Sequence, residues 1–208
     1  MLTAARPDDA IVGEEGTART GRGDLRWMVD PLDGTTNYLY GLGSWSVSVA
    51  AEARRGDDWE AVVGVVSDPV AGEWFTAGRG QGAWCSGQRL VVRDPVPLDR
   101  ALVATGFGYR AAARARQAAT VAHLLTRVRD IRRFGSAALD LCHVAAGRVD
   151  AFYEDDLEPW DSAAGGLIAR ESGARVTRLG SGVLAAGPAL HPALEAEIST
   201  AVRAHEVG

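Results

Sequence analysis

The chain has 208 residues, 47% of them apolar and 24% charged, with a formal net charge of −5. That is ordinary globular material, long enough to bury a sizeable core, and the acidic balance excludes a broad basic field for nucleic acid. All 22 basic residues are arginine, which excludes a Schiff-base lysine; no apolar run approaches the roughly 18–20 residues of a membrane span and no apolar signal core opens the chain, so a cytoplasmic protein is expected.

In chain order, Ile11-Val12-Gly13-Glu14-Glu15-Gly16 reads as a short apolar strand ending in paired acids. Arg26 to Val29 reads as a second strand that Pro31 should stop, because proline lacks an N–H and fixes its own φ. Asp30 and Asp33 then fall on a tight turn, and Gly34-Thr35-Thr36 can open a helical turn whose free N–H groups face an anion. Carboxylates and a carbonyl such as that of Leu32 are the hard oxygen donors Mg²⁺ prefers. Taken alone, this Asp-Pro-Leu-Asp-Gly-Thr stretch also fits an ordinary turn.

Ser46 to Ala53, Ala61 to Val66, Gly72 to Ala77 and Arg89 to Val92 read as further strands. The glycines of Gly78 to Gly82 lie between strands with no helix after them, so they form a hairpin turn and not a nucleotide loop. Ala112 to Arg129 reads as a helix with Val121, Leu124, Leu125 and Val128 on its apolar stripe. Asp130 to Phe134 follows as a strand and Ser136 to Ala146 as a helix, with Gly135-Ser136 as its cap. Asp150 to Glu154 is a strand and Asp161 to Ser172 a helix, with Glu158-Pro159-Trp160-Asp161 placing an acid at its start. A carboxylate at Asp161 suits that helix start and can also bind a cation. Two short strands, Ala174 to Thr177 and Gly182 to Ala186, precede a final helix from His191 to His205. Cys85 and Cys142 form no pair motif and read as reduced thiols; the four histidines form no spaced metal set.

Five segments together, Ile11 to Gly16, Trp27 to Asn37, Arg133 to Leu141, Gly147 to Glu154 and Pro159 to Gly165, resemble the inositol monophosphatase family of Mg²⁺-dependent, lithium-sensitive phosphatases. The resemblance covers nearly the whole chain and implies an α+β fold, a layered α/β sandwich. It implies one domain over residues 1–208, with a β-rich half (1–100) carrying the metal site and an αβ half (101–208) carrying the substrate pocket. It assigns Glu14, Asp30, Asp33 and Asp161 as metal-ligand side chains, with the Leu32 carbonyl beside them. Gly34 and Thr35 would supply phosphate-binding amides, and the Thr35 hydroxyl would orient the attacking water. Gly135, Ser136, Ala137 and Glu154 match the alcohol pocket, to which Asp33 and Asp161 also belong. Glu15 is a weaker candidate beside the metal ligands. Two or three Mg²⁺ ions, a small phosphorylated alcohol and a homodimer complete what the resemblance implies.

Inositol 1-phosphate is the expected substrate. Histidinol phosphate is the alternative among enzymes, since Glu154 with Asp155 and Asp156 could hold a cationic amino alcohol; a weakly catalytic metal- or phosphate-binding protein is the alternative outside them. The family begins with a pair of helices, carrying a Lys and an Asp near the site, and Met1 to Pro7 reads as the end of the second. The Asp partner of Thr35 would then fall upstream, and an apolar face would be exposed. A start codon placed too late is the expected explanation, against a truncated paralogue or a part supplied by another chain. Four carboxylates converging in this way would repel one another, so a cation-free site should be loose.

Overall fold

The structure is a computed structural model and describes residues 2–14 and 18–206; Glu15 lies outside the described residues. A short helix, α1 (Leu2–Ala5), leads into a seven-stranded sheet. Its strands run in sequence order: β1 (Ala10–Gly13), β2 (Leu25–Asp33), β3 (Ser46–Arg55), β4 (Asp58–Asp68), β5 (Glu73–Gly78), β6 (Gly82–Cys85) and β7 (Gln88–Arg89). β1 and β2 are parallel and every later pair is antiparallel. Between β2 and β3 lies α2 (Thr35–Leu39).

The second sheet uses β8 (Leu102–Thr105), β9 (Asp130–Arg132), β10 (Ala151–Glu154), β11 (Arg175–Leu179) and β12 (Gly182–Ala186), in the order β11-β12-β10-β8-β9. Its helices are α3 (Ala111–Leu124), α4 (Ala137–Ala145), α5 (Pro159–Glu171) and α6 (His191–Glu206). The layers are set by which faces must leave water. α4 and α5 lie between the sheets: Leu139, Cys142, Leu167 and Ile168 pack with Met28, Val66 and Phe75 of the first sheet. Leu141, Val144 and Ala169 of the same helices pack with Phe152, Val183 and Ala185 of the second. Neighbouring residues of β10 point the other way, so Ala151 and Tyr153 join Leu124 of α3 and Leu194 and Ile198 of α6 in a third cluster. A helix sandwiched by two sheets must be apolar nearly all round, and α5 is buried continuously from Ala163 to Ala169.

Several expectations from sequence change here. Pro31 does not end β2; the ladder with β3 skips at Pro31 and Leu32 and resumes at the Asp33 to Ser46 pair, a local irregularity that accommodates the missing N–H. The expected strand Arg89 to Val92 shrinks to β7. Past it, Leu90 N–H bonds Ala83 and Val92 N–H bonds Ser172 at the end of α5, so each backbone donor is satisfied individually and not by a ladder. β6 and β8 were not foreseen. On α3 the buried stripe is Ala113, Gln117, Thr120 and Leu124, while Leu125 is 55% exposed just past the helix end. Large apolar side chains at Tyr38, Leu39, Tyr40 and Leu42 are also exposed. No described helix is long and apolar enough to cross a membrane.

The helical layer is thin because small residues hold it close. A Cβ added at Gly165 of α5 would stand 2.8 Å from Leu141 Cβ and 2.9 Å from the Ala138 carbonyl, both on α4. Gly165→Ala would gain about 1 kcal/mol of helix propensity but lose about 1–3 kcal/mol to overpacking. A net fall in the urea midpoint is expected; an unchanged or higher midpoint would show that α4 and α5 can separate freely.

Candidate active site

The site begins where β2 breaks its ladder. Asp30, buried on β2, turns its Oδ1 back to accept the Leu32 N–H at 2.9 Å, the local bond that aspartate favours in turns. The Leu32 carbonyl in turn accepts the Thr35 hydroxyl at 2.9 Å. Gly34 between them is left-handed at φ 89°, and a Cβ there would stand 2.8 Å from the Ser44 carbonyl and 3.0 Å from that of Gly135. Any side chain would therefore meet both strain and backbone.

Two side chains bind this turn to the second half of the chain. Asp33 Oδ2 accepts the Ser136 hydroxyl at 2.5 Å and the Ala138 N–H at 2.8 Å, at the start of α4. Buried Asn37 donates to the Ser44 carbonyl at 2.6 Å and to the Phe134 carbonyl at 2.7 Å. Ser136 itself caps α4 by accepting from Leu139 N–H. Its hydroxyl is therefore spent inside the fold, and Ser136 does not line the cavity as the resemblance implied.

Asp161 is the third residue of α5, and its Oδ2 accepts the Glu158 N–H at 2.8 Å, one arm of a capping box. Asp30 and Asp161 each commit one oxygen to a backbone N–H, a bond that leaves the second oxygen available to a cation. Glu154 ends β10 with its carboxylate against the Cα of Gly106, where a Cβ would collide with it. All of these border one open cavity of about 560 Å³, a size suited to a small ligand. Glu14, Asp30, Leu32, Asp33, Gly34, Thr35, Gly135, Ala137, Glu154 and Asp161 line it.

The acids stand under electrostatic tension. Burial, then the charges of Asp33, Asp161 and Glu14, push Asp30 up to about 7. Burial likewise takes Asp161 to about 7, with Asp33 and Glu14 adding to the shift. Asp33 is raised by burial against the opposing bonds from Ser136 and Ala138, and Glu154 rises to about 8 through burial and Asp33, with Arg133 pulling it back. Among the described residues no three acids, histidines or cysteines are gathered into a ready metal cage. Repulsion of this kind opposes close approach in the protein alone, and a divalent cation is the group that would relieve it. The donor set, carboxylates plus one carbonyl, fits a hard ion such as Mg²⁺.

Sequence reasoning missed the loop Phe107 to Arg110, which lines the same cavity, and the pair in which Arg110 Nη2 reaches both oxygens of Asp156 at 2.9 and 3.1 Å. A glycine-flanked aromatic followed by Tyr109-Arg110, just past β8, was the available signal, but β8 had not been recognised. Asp156 and Glu158 border the cavity, whereas Asp155 lines a separate one. The histidines serve the fold: His123 pairs with Glu197 across α3 and α6 at 2.7 Å, and buried His191 bonds Thr177 at 2.9 Å.

A sequence profile described as the inositol monophosphatase family matches residues 1–206. The chain belongs to that family. It is 44% identical over 184 residues to the inositol-1-monophosphatase SuhB of Mycobacterium tuberculosis, covering 84% of this chain and 62% of that protein. It is also 44% identical over 184 residues to a protein of Pasteurella multocida named Nus factor SuhB, covering 88% and 67%. The chain thus spans less than two thirds of the mycobacterial relative's length. Among solved structures, Mycobacterium tuberculosis SuhB superposes with a TM-score of 0.85 at 43% identity, covering 96% of this chain and 79% of that one. An IMPase from Thermotoga maritima superposes at 0.86 with 32% identity, covering 100% and 80%. The layered α+β arrangement is therefore the inositol monophosphatase fold.

The pKa of Asp30 yields a stability test. Its folded value near 7 lies above the unfolded value of about 3.9, so its ionisation opposes folding and stability is lost as pH rises between those values. Asp30→Asn keeps an acceptor for Leu32 and removes the charge. In chelator, the variant's melting midpoint should exceed that of the unsubstituted protein by more at pH 8 than at pH 5; a gap constant with pH would mean that Asp30 ionises as freely in the fold as in water.

Proposed function

We propose that this family member is a Mg²⁺-dependent, lithium-sensitive phosphomonoesterase that converts inositol 1-phosphate to inositol and phosphate. The observation that carries the reading is the meeting of Asp30, Asp33, Asp161 and the Leu32 carbonyl with Gly34 and Thr35 in one cavity that Gly135, Ala137 and Glu154 also line. The names of the mycobacterial relatives point the same way. Glu14, Asp30, Asp33, Asp161 and Leu32 would hold about two or three Mg²⁺ ions, which when bound neutralise phosphoryl oxygens and make water more acidic.

The chain's own groups do the rest. The N–H groups of Gly34 and Thr35, at the open start of α2, receive phosphate oxygens. The Thr35 hydroxyl donates to the Leu32 carbonyl and keeps oxygen lone pairs to accept a hydrogen bond from the attacking water and fix its direction. Glu154, pushed up to about 8 by burial and the charge of Asp33 in the cation-free protein, accepts hydrogen bonds from ring hydroxyls as a carboxylate once bound cations offset that charge. Arg133 borders the same cavity and keeps Glu154 from rising further. The exposed run at Tyr38, Leu39, Tyr40 and Leu42 favours self-association as a homodimer.

Asp30→Asn tests the centre of this reading. Phosphate release with Mg²⁺ should fall by more than about 100-fold, beyond the roughly 10–100-fold typical of losing an outer partner of a metal site, while the apo fold is no less stable. Near-normal turnover would show that Asp30 is not a metal ligand. The carboxylates of Glu154, Asp156 and Glu158 around the alcohol end favour a second reading, an amino-alcohol phosphate such as histidinol phosphate. Turnover of the two substrates by the unsubstituted protein separates the readings: preference for inositol 1-phosphate upholds the first and preference for histidinol phosphate replaces it with the second, while Glu154→Gln should mainly change that preference.

A further inference from the structure

Two loops line the cavity beside Glu154. Phe107 to Arg110 follows β8, and Asp156 to Glu158 follows β10. At the surface they are joined by the Arg110 to Asp156 pair, whose arginine side chain is 74% exposed; an exposed ion pair of this kind contributes little rigidity. Beneath them lies Gln117 of α3, buried, with no share in the lining of that cavity. Its Oε1 accepts the Gly108 N–H at 3.0 Å and its Nε2 donates to the Asp155 carbonyl at 3.2 Å. One side-chain amide thus stands between the backbones of both loops as a missing peptide unit would.

The amide is the group this position requires. Glutamate could accept from Gly108 but would set a carboxylate oxygen against the Asp155 carbonyl, and methionine would fill the space with neither bond. Asp155 directly follows Glu154, whose carboxylate rests on Gly106 two residues before Gly108. The spacing of the loops therefore also sets where Glu154 points. Behind the clamp is a second cavity of about 240 Å³, bordered by Gln117, Thr120, Tyr153, Asp155 and Ile198. Leu157 packs the second loop against the core, and the Gln117 amide adds the polar link that ties that loop to the first.

We propose that Gln117 is a positioning residue: it fixes the separation of the two loops at the alcohol end of the cavity, and through it the preference for a ring polyol over a smaller or flatter alcohol. This rests on the phosphatase reading above. The test uses the Mg²⁺-loaded protein and its Gln117→Met and Gln117→Glu variants, with inositol 1-phosphate and p-nitrophenyl phosphate as substrates and amide hydrogen exchange as a second readout. Gln117→Met should raise KM for inositol 1-phosphate about tenfold, the scale of one lost hydrogen bond, with kcat and p-nitrophenyl phosphate hydrolysis unchanged and faster exchange at the Gly108 amide. Gln117→Glu should keep Gly108 protected and raise KM less. Equal losses on both esters, or unchanged KM with unchanged exchange, would overturn the proposal. If the unsubstituted protein hydrolyses neither ester, the phosphatase reading fails, and exchange at Gly108 alone upholds or overturns the clamp.

Discussion

The carboxylate of Asp33 holds the candidate site together. It leaves the last residue of β2 and accepts bonds from the Ser136 hydroxyl and the Ala138 N–H, more than one hundred positions later, at the start of α4. Charge-assisted bonds to a helix start are among the stronger polar contacts a protein makes, and here they fix the turn at the end of β2 against the helix that serves both sheets. Asn37 repeats the link through Phe134. Gly34 and Gly135, each with positive φ, allow the two turns to approach so closely that a Cβ on either would strike its neighbours.

That closeness also creates the site's tension. Asp30, Asp33, Asp161 and Glu154 come from three separate elements and are brought partly out of water in a cavity that Arg110 and Arg133 also border. A sequence selected for stability alone would place apolar groups or counter-charges there. Instead the acids are tethered individually, Asp30 to Leu32 and Asp161 to Glu158, so their positions survive their mutual repulsion. Such a site gives up stability in the protein alone, which a bound cation would restore.

The scaffold explains why the tethers suffice. α4 and α5 form one thin layer between two sheets, with Ala138, Leu139, Ala164 and Ile168 fully buried and Gly165 set against α4. Interiors packed to this degree are barely compressible, so a carboxylate at the end of β2 and another on the first turn of α5 keep their separation. The loops that follow β8 and β10 are joined to each other by the side-chain amide of Gln117 on α3.

The residues of the site were legible in the sequence because their chemistry is local: Asp30-Pro31-Leu32-Asp33-Gly34-Thr35 encodes its own turn, and Glu158-Pro159-Trp160-Asp161 its own helix start. The long regular elements were legible for the same reason, since periodicity and caps are read within a few residues. What the tertiary structure decided was everything that depends on a partner distant in the chain. Pro31 could remain within a strand because β3 resumes pairing at Ser46, and α3 buries Gln117 and Thr120 where its sequence offers Leu125, because the third layer meets that side of the helix. Ser136 could not be placed from sequence either: the same serine can face a ligand or a buried carboxylate, and only the arrival of Asp33 determines which. Local propensity fixes what a segment can form; the surface it finally packs against fixes which of its side chains reach the site.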